Sequence, residues 1–208
     1  TSENLKKAIT PKTKAILLNY PNNPTGAVMD KKELEPIADI MEENDIMVIS
    51  DEVYERMTYD TQHTCFASLD GMRQRTIVLN GFSKAYSMTG FRMAYALAPA
   101  PVLAAMMRIH QYSMLCAPIT AQVGAIEALK NGEEEVEKMV NEYNRRRRLI
   151  VKGFNDIGLE CFNPGGAFYA FPSVASTGLT SEQFAERLLE QQQVVTIPGD
   201  VFGSAGNG

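Results

Sequence analysis

Four short runs in the first half of the chain are apolar almost throughout. They are AILLNY (15–20), IMVIS (46–50), TIVLN (76–80) and MAYALA (93–98). A strand with one wetted face alternates apolar and polar residues, whereas a continuous apolar run is typical of a strand that is buried on both faces. The pattern therefore predicts four strands of a covered sheet.

The segment between the first two runs has helical periodicity. In DKKELEPIADIMEEN (30–44), apolar residues recur at helical spacing, for example at Leu34, Ile37 and Met41. A strand, a helix and a second strand in succession predict a parallel pair of strands.

After Pro101 the pattern becomes helical. We expect helices over 102–115, 119–131, 133–157 and 181–192. The segments LECF, GGAFYAF and VVTIP lie beyond Gly158 and predict a smaller α+β unit. The domain boundary is placed in the long third helix, which divides the chain into residues 1–147 and 148–208.

Composition and charge limit the classes of partner that the chain is expected to bind. The chain has 208 residues and a net charge of -5, which argues against nucleic acid or an anionic membrane as a partner. The basic run Arg145 to Arg148 is interpreted as a helix end, with Glu142 within reach of its first two arginines. No apolar run approaches the roughly 18 residues of a membrane span.

The candidate metal ligands are few and scattered. The cysteines (Cys65, Cys116, Cys161) form no CxxC pair, and the two histidines (His63, His110) lie in unrelated contexts. Neither a metal site nor a disulfide framework is indicated, and a reducing, cytoplasmic location is expected.

Polar residues follow three of the predicted strands. PNNPTG (21–26) follows the first, DEVY (51–54) the second and GFSKAY (81–86) the third. In an open parallel sheet, ligands bind at the carboxyl ends of the strands, so an amide, a carboxylate, a phenol and an amine are expected at one edge. Each motif alone has a structural explanation, because Pro, Asn and Gly dominate turns and a single Asp, Tyr or Lys can cap, pack or reach solvent. Motifs for dinucleotides, P-loop phosphates and serine hydrolases are absent from the sequence.

NYPNNPTG, SDEVY and NGFSKAYSMTGFRMAY together resemble the class I/II aminotransferases, the aspartate and aromatic group of fold type I pyridoxal-phosphate enzymes. The positions of the long motif that match are Gly81, Ser83, Lys84, Ser87, Gly90, Arg92 and Ala94. Similarity extends to LKKAITPKTKAILL, RRRRLIVKGF, NPGGAFYAFP and VVTIPGDVFG, and so covers essentially the whole chain.

The resemblance implies an α/β fold: a three-layer α/β/α large domain with a mostly parallel sheet, and a smaller α+β domain. Residues 1–147 would be part of the large cofactor-binding domain and residues 148–208 part of the small one. The resemblance also implies a homodimer, and identifies the chain as an interior piece of a longer protein.

The resemblance also implies roles for individual residues in binding pyridoxal 5'-phosphate. Lys84 would form a Schiff base with the cofactor aldehyde and then shuttle the substrate α-proton. Asp51 would pair with the pyridine nitrogen and keep it protonated, so that the ring accepts electrons. Asn23 and Tyr54 would hydrogen-bond the phenolic oxygen, and the Asn23–Pro24 peptide bond is a candidate cis bond.

The phosphate of the cofactor would be held by Arg92, whose planar guanidinium suits bidentate binding. Many relatives have a serine at the position of Gly81, so here Ser83 or a backbone amide would supply that contact.

The function implied is transfer of an amino group from an amino acid to a 2-oxo acid. The cofactor motifs equally permit a lyase or synthase on the same fold, and the 208 residues alone could be a non-catalytic piece. The substrates are not indicated, because Phe168 and Tyr169 fit either a substrate contact or core packing.

Overall fold

The four predicted strands form one sheet in the computed structural model, which describes residues 2–208. The strands are β1 (Ala15–Asn19), β2 (Met47–Asp51), β3 (Thr76–Gly81) and β4 (Ala94–Leu97). The sheet order is β1-β2-β3-β4, with β1, β2 and β3 parallel and β4 antiparallel to β3. The predicted parallel pair is confirmed, and the sheet is mixed.

The five predicted helices lie close to their predicted bounds, and the structure adds two short ones, Ser2–Ala8 and Phe82–Ala85. In chain order the helices are α1 (Ser2–Ala8), α2 (Lys31–Glu43), α3 (Phe82–Ala85), α4 (Ala100–Ser113), α5 (Ile119–Asn131), α6 (Glu133–Asp156) and α7 (Ser181–Gln192). Asp30 begins α2 with a capping box, in which its side chain accepts from Glu33 N and the Glu33 side chain accepts from Asp30 N. No helix in residues 2–208 is long and apolar enough to cross a membrane.

The main core lies between α2 and one face of the sheet. Leu34 and Met41 of α2 are fully buried, as is Val48 of β2, and Phe66 and Met72 from the segment between β2 and β3 complete the packing. This burial of apolar surface is the main force that holds the helix on the sheet.

The expectation that every strand is buried on both faces is wrong for the outer strands. Leu17 of β1 is 67% exposed and Leu97 of β4 is 59% exposed. Both lie at the edges of the sheet, where a strand has a neighbour on one side only. β2 and β3 alternate between buried and half-buried residues instead.

The second half of the chain is helical as predicted, but the expected strands are missing. Among residues 158–208 the structure contains α7 and short 3-10 turns but no strand, and one isolated bridge pairs Thr58 with Gly166. An extended segment becomes a strand only when a neighbour accepts its hydrogen bonds. The division at residue 147 stays a prediction, and α6 runs continuously through it.

Candidate functional site

The ends of β1 and β2 lie side by side. Asn19 and Asp51, the last residues of the two strands, are partners in the ladder, and Asn19 Nδ2 donates to Asp51 O at 3.4 Å. The Asp51 carboxylate is half-buried and accepts one hydrogen bond, from Val53 N at 3.2 Å. It therefore keeps capacity to accept a hydrogen bond from a ligand.

The PNNPTG turn is organised by amide side chains. Asn22 Oδ1 accepts from Thr25 Oγ1 at 2.7 Å, and Asn23 N donates to Asn19 Oδ1 at 2.8 Å. The Asn23–Pro24 bond is cis, as predicted, and the Tyr20–Pro21 bond is also cis. These contacts leave Asn23 exposed at the edge of the sheet.

Lys84 lies in α3, the single helical turn that directly follows β3. Its amine is half-buried, and its Nζ lies 5.7 Å from the ring centre of Tyr54 and 5.6 Å from that of Phe168. No hydrogen bond or ion pair to this amine occurs within residues 2–208. Cation–π contacts only partly replace the hydration of an ammonium group, so the amine remains free for covalent chemistry.

The phenol of Tyr54 is held protonated at the same edge. Tyr54 is 3% exposed, and its hydroxyl is hydrogen-bonded to the hydroxyl of Tyr169. Burial raises the pKa of Tyr54 well above its usual value, and the negative charge of Asp51 acts in the same direction. Tyr54 therefore carries a hydrogen that it can donate to a ligand oxygen.

The loop that carries Phe168 and Tyr169 is tied to both neighbouring turns. Gly166 N donates to Gly26 O at 2.9 Å, and Ala167 N donates to Met57 O at 2.8 Å. The packing is so close that a Cβ on Gly166 would lie 2.6 Å from Cβ of Pro21. These contacts bring the GGAFY segment to the carboxyl edge of the sheet.

Arg147 fixes the same loop from α6. Its guanidinium is buried, with Nη1 2.6 Å from Asp60 Oδ2 and 2.8 Å from Pro164 O, and it lies 4.6 Å from the ring centre of Tyr59. This ion pair holds the pKa of Asp60 below its usual range. Arg145 and Arg146 of the same run behave as predicted, since both pair with Glu142.

Three of the predicted cofactor residues are not joined to Lys84 by a hydrogen bond or an ion pair in residues 2–208. Arg92 is exposed, and its Nη1 donates to Thr89 O at 2.8 Å, while the rest of its guanidinium makes no hydrogen bond in residues 2–208. Ser83 precedes Lys84 in α3 and is half-buried. Within the part of the chain described, no hydrogen bond or ion pair joins Asn23, Ser83 or Arg92 to Lys84. Their roles remain predictions.

The sequence did not identify the buried network behind Asp51. Glu52 is 1% exposed and accepts from Ser50 Oγ at 2.8 Å and Phe66 N at 3.0 Å, and its Oε2 lies 2.7 Å from His63 Nε2. Burial opposes ionisation, but the hydrogen bonds from His63, Phe66 N and Ser50 outweigh it and lower the pKa of Glu52. The only sequence signal was His63, which lies 11 residues after Glu52, and that spacing did not join the two.

Comparison with known proteins gives a consistent result for the whole chain. The family described as Aminotransferase class I and II matches residues 1–208. A putative aminotransferase, YugH, of Bacillus subtilis is 53% identical over 208 residues, which are 100% of this chain and 54% of that protein. Aromatic-amino-acid aminotransferase 2 of Thermococcus litoralis is 47% identical over 99% of this chain and 54% of its own length.

Solved structures agree with these relatives. An aromatic aminotransferase from Pyrococcus horikoshii superposes with a TM-score of 0.97 at 47% identity, over 100% of this chain and 57% of that one. The aspartate aminotransferase of Thermus thermophilus crystallised with maleate gives a TM-score of 0.94 at 38% identity, over 100% of this chain and 54% of that one. The chain thus spans about half the length of these relatives. With its motifs, its α/β fold and a family match along its whole length, the chain belongs to the class I and II aminotransferases.

Proposed function

We propose that the protein containing this chain transfers an amino group from an amino acid to a 2-oxo acid, with pyridoxal 5'-phosphate held at the carboxyl edge of the sheet. The observation that carries the proposal is the Lys84 amine. Lys84 is half-buried, and its Nζ lies 5.7 Å from the ring centre of Tyr54 and 5.6 Å from that of Phe168, without an anionic partner in residues 2–208. It lies in a turn that follows a central strand. A structural lysine would reach solvent or a carboxylate.

The side chains at this edge fit the functional groups of that cofactor. Lys84 supplies an amine for the aldehyde, and Asp51 supplies a carboxylate for the pyridine nitrogen. Tyr54 presents a phenol to the phenolic oxygen, with Asn23 exposed on the neighbouring turn. Arg92 keeps guanidinium N–H groups without partners in residues 2–208, which suits a phosphate.

When bound, the cofactor supplies an aldehyde that condenses with amines and a ring that accepts the electron pair left by the α-proton. Asp51 keeps a negative charge beside the pyridine nitrogen and so favours its protonated state. Lys84 Nζ would take up the substrate α-proton and release it to the carbon that carried the cofactor aldehyde. The rings of Tyr54 and Phe168 lie beside the amine.

Three of the four relatives named above are described as aromatic or aspartate aminotransferases. We extend the proposal to that substrate class for this protein, and to a homodimer, which the class commonly forms. Phe168, which is 38% exposed beside Lys84, is placed to contact a substrate side chain.

A half-reaction tests the proposal against a lyase or synthase. The natural protein is loaded with pyridoxal phosphate, freed of excess cofactor and mixed in turn with aspartate, phenylalanine, tyrosine and glutamate. We expect one equivalent of pyridoxamine phosphate and one of the matching 2-oxo acid for each active site. Release of ammonia or of a shortened product, with the cofactor left in its aldehyde form, would contradict the proposal.

A further inference from the structure

The hydroxyl of Tyr169 is hydrogen-bonded to the hydroxyl of Tyr54, and the proposed function gives Tyr169 no role. The two rings meet edge to face, with their centres 5.7 Å apart and their planes at 78°. Tyr169 is half-buried, and Phe168 beside it lies over the Lys84 amine. Tyr169 is thus one side chain removed from the group that would touch the cofactor.

The number of hydrogens on the two phenols limits what Tyr54 can do. A phenol donates one hydrogen and accepts through its oxygen. If Tyr54 donates to Tyr169, it has no hydrogen left for a ligand. If Tyr169 donates to Tyr54, the Tyr54 hydrogen is free to point at the cofactor, and a phenol that accepts a hydrogen bond becomes a stronger donor.

The surroundings of Tyr169 fix its position. Ala167, two residues earlier, is fully buried with a φ of 54°, a left-handed conformation that is uncommon for a residue with a side chain. Its N–H donates to Met57 O at 2.8 Å, and its carbonyl accepts from the Tyr59 hydroxyl. Two hydrogen bonds hold the Ala167 backbone in an unfavourable conformation, and they thereby fix the positions of Phe168 and Tyr169.

We propose that Tyr169 is a positioning residue that donates its hydroxyl hydrogen to Tyr54 and so directs the Tyr54 hydrogen to the phenolic oxygen of pyridoxal phosphate. The inference rests on the proposed function, because it requires the cofactor at this edge. It adds a residue to the site that acts only through Tyr54.

The expected consequence is spectroscopic. A hydrogen bond from Tyr54 would withdraw negative charge from the phenolic oxygen and so lower the pH at which the bound cofactor loses its proton. Removing the Tyr169 hydroxyl would weaken that effect. The pH at the midpoint of the change in visible absorbance should rise by about 0.5 to 1 unit, the effect of losing part of one hydrogen bond.

The test uses the natural protein, loaded with pyridoxal phosphate, in five forms: unaltered, Tyr169→Phe, Tyr54→Phe, the double variant and Tyr59→Phe. Each is titrated with pH while the visible spectrum is recorded, and its melting temperature and cofactor dissociation constant are measured. Tyr169→Phe keeps the ring that packs on Tyr54. Tyr59→Phe is the matched control, because it removes a hydroxyl bonded to the same loop without touching the phenol pair.

We expect Tyr169→Phe to raise the midpoint, Tyr54→Phe to raise it further, and the double variant to equal Tyr54→Phe alone. Tyr59→Phe should lower the melting temperature and leave the midpoint unchanged. An equal shift in Tyr59→Phe, an unchanged midpoint in Tyr169→Phe or a full Tyr169 effect in the Tyr54→Phe background would each overturn the inference. If the unaltered protein gains no visible absorbance from pyridoxal phosphate, the proposed function itself fails, and the inference fails with it.

Discussion

Asp51 and Glu52 are consecutive carboxylates at the end of β2, and they have opposite surroundings. Successive side chains of a strand point to opposite faces. Asp51 therefore lies at the carboxyl edge of the sheet, where Lys84 also lies, and Glu52 points into the core. Asp51 accepts a single backbone hydrogen bond, at 3.2 Å. Glu52 is 1% exposed and is bonded to Ser50, His63 and Phe66 N.

The contrast separates a binding carboxylate from a structural one. A buried charge must be fully compensated, and once compensated it has nothing left to offer a ligand. A half-buried carboxylate with one contact can still accept from a ligand. The cations differ in the same way, since Arg147 is bound on several sides whereas Lys84 has no anionic partner within residues 2–208.

The largest effect is expected for Asp51→Asn. The amide keeps the shape but loses the charge that we propose lies beside the pyridine nitrogen, so turnover should fall by about 10²- to 10⁴-fold. The melting temperature should change little, because Asp51 makes one weak contact. Steady-state kinetics and thermal melts measure both. Turnover within a few-fold of the unaltered protein would show that Asp51 is not the partner of the ring.

Glu52→Gln should give the opposite pattern. The substitution removes a charge that is hydrogen-bonded inside the core, and the unfolding free energy should fall by about 2 to 4 kcal/mol. Turnover per folded molecule should stay within about tenfold, since the effect on Asp51 is indirect. Urea denaturation and active-site titration measure the two quantities. A stable but inactive variant would contradict the assignment of Glu52 to structure.

Arg147→Met extends the comparison to the cations. The methionine keeps much of the aliphatic volume but leaves Pro164 O without its donor, so the unfolding free energy should fall by about 1 to 3 kcal/mol. Arg145→Met, at an exposed position of the same helix, is the matched control and should leave the denaturation midpoint unchanged. Equal effects of the two variants would show that Arg147 does not anchor the loop.

The smallest expected effect is on the acid side of the pH–stability curve. Because the pKa of Glu52 is lower in the folded protein than its usual value of 4.5, its contribution to stability is fully present above about pH 4.5. It is lost as the pH falls through the folded-state pKa. Glu52→Gln should therefore flatten the fall in stability below that pH. Denaturation curves between about pH 3 and pH 7 measure how the unfolding free energy changes with pH. An unchanged acid slope would contradict the assigned pKa direction.

The sequence predicted the parts of the fold that depend on local periodicity. The apolar runs and the 3.6-residue repeats gave the strands and α2, α5, α6 and α7 to within a few residues. The strand order placed Asp51, Tyr54 and Lys84 at one edge, because the carboxyl ends of parallel strands meet there.

The parts that were missed depend on contacts between distant segments. Tyr54 and Tyr169 are 115 positions apart, and Asp60 and Arg147 are 87 apart. No spacing rule connects such residues. The predicted strands after Gly158 failed for a related reason, since a strand requires a partner as well as an apolar run.

The central claim is that Lys84 is the residue that binds pyridoxal phosphate covalently. The natural protein is incubated with the cofactor, reduced with borohydride, digested and examined by mass spectrometry, with Lys84→Ala treated in parallel. The account predicts one modified tryptic peptide, TIVLNGFSKAYSMTGFR (76–92), uncleaved at Lys84 and carrying the added mass there, and no labelled peptide in the variant. A label on another lysine, or the same labelling in Lys84→Ala, would contradict it.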